Sequence, residues 1–159
     1  MLRGDKIVMW TDGSCKGNPG RGGFGCMLVY RGVIKEVAGG YRLTTNNRME
    51  LMAVVMGLRA VKGDGWLVEV VTDSVYVESV VRGVGMGRVY EKNGDIVGML
   101  RREMSRLKVG VVRVKGHSGI KENERVDGVA RRAMTRGPWL VDEGYKKTRG
   151  VSTGVRRGK

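Results

Sequence analysis

Apolar and polar positions along the chain alternate between the short rhythm of strands and the longer rhythm of helices. Residues 7–11 form an apolar, β-rich run that ends at Asp12-Gly13-Ser14, where Asp and Gly both favour a turn. Asp12 is therefore expected at the C-terminal end of a strand. After a glycine-rich stretch over 17–23, residues 24–30 and 33–41 read as two strands joined by a two-residue turn at Arg31-Gly32. The first three strands would form an antiparallel meander. From Met49 to Val61 apolar side chains lie nearly all round the helical wheel, which predicts a buried helix with Glu50 as its one acid. Residues 67–72 make a continuous apolar run with a single charge, as a strand at a sheet centre does, and the run stops at Asp73-Ser74 before a short helix over 75–81.

Residues 83–93 are glycine-spaced and mixed in charge, so a loop or protrusion is expected there. A helix over 95–107, a last strand over 109–114 and a helix over 122–134 follow, with a Gly-bounded loop at 115–119 that carries the only histidine, His117. This order of elements predicts an α/β fold: a mixed sheet with helices on its faces. A chain of 159 residues with 41% apolar content suits one domain with one core, taken as residues 1–145. Residues 146–159 hold Lys146, Lys147, Arg149, Arg156, Arg157 and Lys159, with no acid and no periodicity, and are expected to be a disordered basic tail.

Charge narrows the partners. Thirty Lys and Arg against 16 Asp and Glu give a formal charge of +14, which attracts polyanions, nucleic acids above all. Structural proteins of the ribosomal type share that bias, so charge speaks to association and not to chemistry. Cys15 and Cys26 form neither a CxxC pair nor half a zinc site, which argues for a reducing compartment and against a disulfide framework. No stretch resembles a signal h-region or a bilayer span, and a soluble, cytoplasmic protein is expected. Gly20-x-Gly22-x-x-Gly25 fits a dinucleotide fingerprint in form only, because a strand and not a helix follows it.

Each acid of interest has a structural reading. Asp12 fits an Asx-turn, and Asn47-Arg48-Met49-Glu50 matches a capping box. Asp73 suits a helix N-cap, and Asp127 stands one turn before Arg131. Their joint placement points further, since neighbouring strand ends in an α/β sheet open onto one crevice. If the first and fourth strands are adjacent and parallel, Asp12 and Asp73 meet. Clustered carboxylates raise one another's pKa unless a cation neutralises them. Without Cys or paired His, the cation would be Mg²⁺ or Mn²⁺, and two such ions roughly 4 Å apart can drive hydrolysis of a phosphodiester. His117 has the bland reading of a surface residue and the sharper one of a proton relay near neutral pH.

Thr11-Asp12-Gly13-Ser14-Cys15 with Gly17-Asn18-Pro19-Gly20, Thr44-Thr45-Asn46-Asn47-Arg48-Met49-Glu50-Leu51 and Thr72-Asp73-Ser74 are three blocks that follow in this order along the chain. With Val114-Lys115-Gly116-His117 and Glu122-Asn123-Glu124-Arg125-Val126-Asp127, they resemble the type I ribonucleases H in their bacterial form, from about residue 5 to Tyr145. The resemblance implies a ribonuclease H-like fold, a five-stranded mixed sheet with helices on both faces. It implies a monomeric endoribonuclease that cuts the RNA strand of RNA–DNA hybrids with little sequence specificity, using two Mg²⁺ ions and leaving 5′-phosphate and 3′-hydroxyl ends. Asp12, Glu50, Asp73 and Asp127 match the family's metal-binding carboxylates, and His117 matches its loop histidine for proton transfer or product release. Cys15, Asn18, Asn46 and Asn47 match positions that touch the hybrid, where groups aimed at the 2′-hydroxyl distinguish RNA from DNA. Thr45 and Arg48 match backbone or phosphate contacts.

The chain departs from the family pattern in three places: the segment 83–93 is short and lacks tryptophan, Val75 replaces a substrate-contacting glutamine, and Val29 replaces a phosphate-contacting arginine. Asn93 aligns with a phosphate-pocket asparagine. A hybrid-binding module with impaired catalysis would be expected to lack a carboxylate, and a DNA nuclease of related fold would not need the asparagines. The basic tail is expected to replace part of the missing protrusion by non-specific attraction to phosphates. Truncation after Tyr145 should then raise the KM for hybrid and flatten its salt dependence in steady-state assays, whereas unchanged values would mean that the tail is a solvated extension.

Overall fold

The computed structural model describes residues 5–146; apart from Lys146, the expected tail lies outside them. Strands β1 (Ile7–Cys15), β2 (Gly20–Tyr30) and β3 (Val33–Thr44) form the predicted antiparallel meander. Helix α1 (Asn46–Arg59) leads to β4 (Leu67–Thr72), then α2 (Val75–Gly85), α3 (Gly94–Arg106), β5 (Lys108–Arg113), α4 (Lys121–Arg136) and a short β6 (Trp139–Leu140). The sheet order is β5-β4-β1-β2-β3-β6, with β4 parallel to both β1 and β5. The sheet thus has six strands and not five. The sixth is a two-residue edge pairing with β3 at Gly40 and Tyr41, too short to leave a periodic signal in the sequence.

Several boundaries also move. β1 continues through Asp12 to Cys15 because Asp12, Gly13 and Ser14 pair with Gly25, Phe24 and Gly23 of β2. Its parallel ladder to β4 ends at Trp10, so Asp12 stands just beyond the point where the two strands part. Helix α1 is capped by Thr45, whose hydroxyl accepts from Arg48 N at 3.3 Å; Asn47 lies inside the first turn and caps nothing. Ser74 and not Asp73 caps α2, accepting from Val77 N at 3.1 Å. Helix α2 runs on to Gly85 because Val77, Val80, Val81 and Val84 prolong one buried stripe, so the segment read as a loop from 83 begins as helix.

Helices cover both faces. α1 to α3 build the main core with β1 and β4, around the fully buried Met9, Leu51, Leu58, Val70, Ile96 and Leu100. Each such side chain contributes about 1.5–3 kcal/mol by leaving water. α4 lies on the other face against β1 to β3. It reaches the strand backbone itself, since a Cβ on Gly23 or Gly25 would collide with main-chain atoms of Ala130. Of the apparent dinucleotide fingerprint, Gly25 thus serves the packing of α4. No helix among the described residues is long and apolar enough to cross a membrane.

Arg48 ties α1 to α3 and to the segment after β6. It is 2% exposed, and its guanidinium donates to Asp142 (2.7 and 2.8 Å), Asp95 (2.9 and 2.6 Å) and Asn93 Oδ1 (3.4 Å). Thr44 Oγ1 also donates to Asp142, at 2.7 Å. The Arg48 hydrogen bond holds the Asp95 carboxyl below its usual range, so this support is complete above about pH 4 and lost on acidification through Asp95's lowered pKa. Asp142→Ala, which strands most of a buried cation, should cost about 3–5 kcal/mol at neutral pH in urea denaturation; a loss below about 1 kcal/mol would mean that the pair is solvated.

Candidate active site

The parting of β1 and β4 creates the crevice. Asp12 rises from β1 beside Asp73 at the end of β4, and Glu50 enters from the first turns of α1. A Cβ at Gly13 would collide with the backbone nitrogen of Glu50, so glycine lets helix and strand approach closely enough for the acids to meet. Asp12, Glu50 and Asp73 each offer one oxygen within 4.8 Å of the others. Asp12 and Glu50 are both 5% exposed, and Glu50 Oε2 has no hydrogen-bond partner among the described residues.

The electrostatics follow from burial. Desolvation, then the Asp73 charge and a hydrogen bond with Asp127, push the Asp12 carboxyl up to about 8. Desolvation, then the charges of Asp12 and Asp73, hold Glu50 well above the carboxylate range. Asp127 thus reaches Asp12 from α4, outside the tightest trio, and pairs with Arg131 at 3.2 Å as the sequence suggested. His117 sits on the exposed loop with a left-handed backbone (φ 53°). A Cβ on its neighbour Gly116 would lie 3.1 Å from Asp73 Oδ2, so that loop rests directly on the cluster.

The expected substrate residues gather at the start of α1. Asn18 Oδ1 accepts from Asn46 N at 2.9 Å, which ties the loop after β1 to the helix N-terminus. Cys15 Sγ faces Thr44 O at 3.5 Å and Gly20 O at 3.7 Å. Asn18, Thr45 and Asn47 line a groove of about 590 Å³ whose far wall includes Lys92 and Asn93. Arg48 departs from the expectation of a phosphate contact: its donors are all spent on Asp142, Asp95 and Asn93, so it braces the groove from beneath. Two participants were given no role by the sequence, although Asn123 lies in the 122–127 block. Asp142 stands far along the chain in an ordinary acidic segment, and Asn123, 4% exposed, donates from Nδ2 to Asp73 Oδ2 at 3.2 Å.

The model of the RNase H family matches residues 4–135. The chain belongs to the ribonuclease H family. It is 45% identical over 155 residues to the Ribonuclease H of Idiomarina loihiensis, covering 91% of this chain and 98% of that one. The Ribonuclease H of Aeromonas hydrophila is 46% identical over 151 residues, covering 89% and 97%. Among solved structures, LC9-RNase H1 superposes with a TM-score of 0.70 at 29% identity, covering 96% of this chain and 85% of that one. LC11-RNase H1, solved in complex with an RNA/DNA hybrid, gives 0.67 at 25% identity, covering 81% and 96%. The family resemblance, the fold and the enzyme class expected from the sequence therefore stand, with the strand count corrected.

The buried acids give this ribonuclease H a pH signature. A group at about 8 in the folded state and 3.8 otherwise keeps a proton that the unfolded chain releases. Its contribution to stability is full below about pH 4 and is lost as pH rises through 8. In chelator the urea midpoint should fall between pH 5 and pH 8, and millimolar Mg²⁺ should restore more at pH 8 than at pH 5. Equal Mg²⁺ effects at the two pH values would contradict the assignment of Asp12.

Proposed function

We propose that this protein is an endoribonuclease that hydrolyses the RNA strand of RNA–DNA hybrids by two-metal-ion catalysis, leaving 5′-phosphate and 3′-hydroxyl ends. The observation that carries the reading is the trio Asp12, Glu50 and Asp73, in which Glu50 Oε2 is buried without a hydrogen-bond partner among the described residues. Such an oxygen, in a cluster of acids paired with no basic side chain among the described residues, fits a hard divalent cation. The donor set is all oxygen, which suits Mg²⁺, or Mn²⁺ in its place, and not zinc. Asp12, Glu50, Asp73 and Asp127 would hold the ions. When bound, such ions supply an activated water and stabilisation of the charge that develops on the leaving oxygen.

The remaining residues bind and move protons. The imidazole of His117, on the loop that touches Asp73, exchanges a proton with solvent during hydrolysis or release of product. Cys15, Asn18, Asn46 and Asn47 face the RNA strand, where amides directed at a 2′-hydroxyl give preference over DNA. Thr45 meets the sugar–phosphate backbone, and Asn93, held by Arg48 and by a 2.9 Å hydrogen bond to the Tyr76 hydroxyl, presents a polar group to phosphate across the groove. Contacts of this kind carry little sequence information. The +14 charge supplies long-range attraction.

An end-labelled hybrid tests the proposal beside single-stranded RNA and duplex DNA. Mg²⁺-dependent cutting of hybrid RNA alone is expected, with Asp12→Asn lowering kcat more than about 100-fold, beyond the usual effect of an outer-sphere change. Tight binding of intact hybrid in both Mg²⁺ and Mn²⁺ would instead indicate a binding module.

A further inference from the structure

We infer that Asn123 is a positioning residue for the carboxylate cluster, an inference that rests on the metal-site reading above. It is the third residue of α4, a helix whose N-cap, Ile120, offers no side-chain hydrogen bond. The amide nonetheless turns away from the helix end and into the sheet. Its Nδ2 donates to Asp73 Oδ2 at 3.2 Å, while its Oδ1 is buried with no partner among the described residues. The opposite amide orientation would set an oxygen against a carboxylate oxygen, so the donor must face Asp73. The side chain accepts a buried, unpaired oxygen in order to hold that acid.

Its place on the helix extends the effect. Asn123 and Asp127 are four residues apart and share one face of α4. One touches Asp73, and the charge of the other is felt by Asp12. Asn123 thereby anchors α4 on Asp73, one turn before the carboxylate that acts on Asp12. Asn123 fixes the plane of the Asp73 carboxylate and, through α4, the depth at which Asp127 meets Asp12. Among the described residues the cation paired with Asp127 is Arg131, which lies a further turn along and does not pair with Asp73.

In the full chain Asn123→Ala removes the donor and Asn123→Ser draws it back to Cβ, short of Asp73, and Mn²⁺ binding to the metal-free protein, followed by electron paramagnetic resonance, reads the site without turnover. Both variants should weaken Mn²⁺ binding roughly 10-fold and lower kcat on hybrid roughly 10–100-fold, with KM for hybrid unchanged. A lowered melting temperature with Mn²⁺ affinity and kcat within about twofold of the parent in either variant would make Asn123 a packing residue and overturn the inference. So would loss of the folded circular dichroism spectrum in both. A parent chain that neither binds Mn²⁺ nor cuts hybrid would overturn the functional reading and this inference with it; a parent that does both, with equally competent variants, would overturn this inference alone.

Discussion

Three carboxylates packed where water is largely excluded repel one another, and the surrounding fold is what holds them together against that repulsion. Two unit charges 4 Å apart interact by on the order of 4 kcal/mol at an effective dielectric of about 20. A whole domain of this size is stable by only about 5–15 kcal/mol. Asp12, Glu50 and Asp73 therefore cannot all be ionised without help. The protein alone answers by keeping protons, as the value of about 8 for Asp12 shows. A divalent cation answers differently, by making the ionised state the favourable one.

The scaffold fixes the three acids by backbone contacts, which yield less than side-chain contacts do. β1 and β4 are parallel neighbours, so their ends diverge at one point and carry Asp12 and Asp73 there. α1 reaches the same point because Gly13 removes the one side chain in its way. The helix is held down by its buried apolar faces and by Arg48, two residues before Glu50, whose partners Asp95 and Asp142 come from α3 and from beyond β6. One helix thus carries an acid of the cluster, the arginine that braces the groove, and the asparagines near it. Strain at any of these would be felt at the others.

What the sequence disclosed and what it concealed differ by the range of the interaction. Strand and helix identities were legible from periodicity, and the four acids from their order and surrounding blocks. The adjacency of β1 and β4 was also legible in conditional form, because a buried apolar run after a helix favours a parallel neighbour. Boundaries were not. Asp12 looked like the end of a strand because Asp-Gly favours turns, yet pairing with β2 carries the strand on to Cys15. Arg48 was matched to a backbone or phosphate contact through the family resemblance; its burial rests on the distant Asp95 and Asp142. Asn123 lies in a polar helix start whose sequence says nothing of a partner 50 residues away. The role of Gly23 and Gly25 in seating α4 was not legible, since the helix they admit is about a hundred residues later.

The charge pattern joins the site to its substrate. The surface is strongly cationic in sum, but the crevice into which a scissile phosphate must pass is lined by carboxylates. Surface lysines and arginines attract a hybrid from a distance of about one Debye length, and the bare acid cluster repels the phosphodiester over the last few ångströms. Cations in the cluster reverse that last term. In the proposed reaction, metal and hybrid therefore bind with positive coupling, and because coupling between binding sites is reciprocal, hybrid must raise metal affinity by the same factor by which metal raises hybrid affinity. A metal site left weak in the free protein is then no defect: the burial and mutual repulsion that push the Asp12 carboxyl up are the costs that substrate and cations offset together.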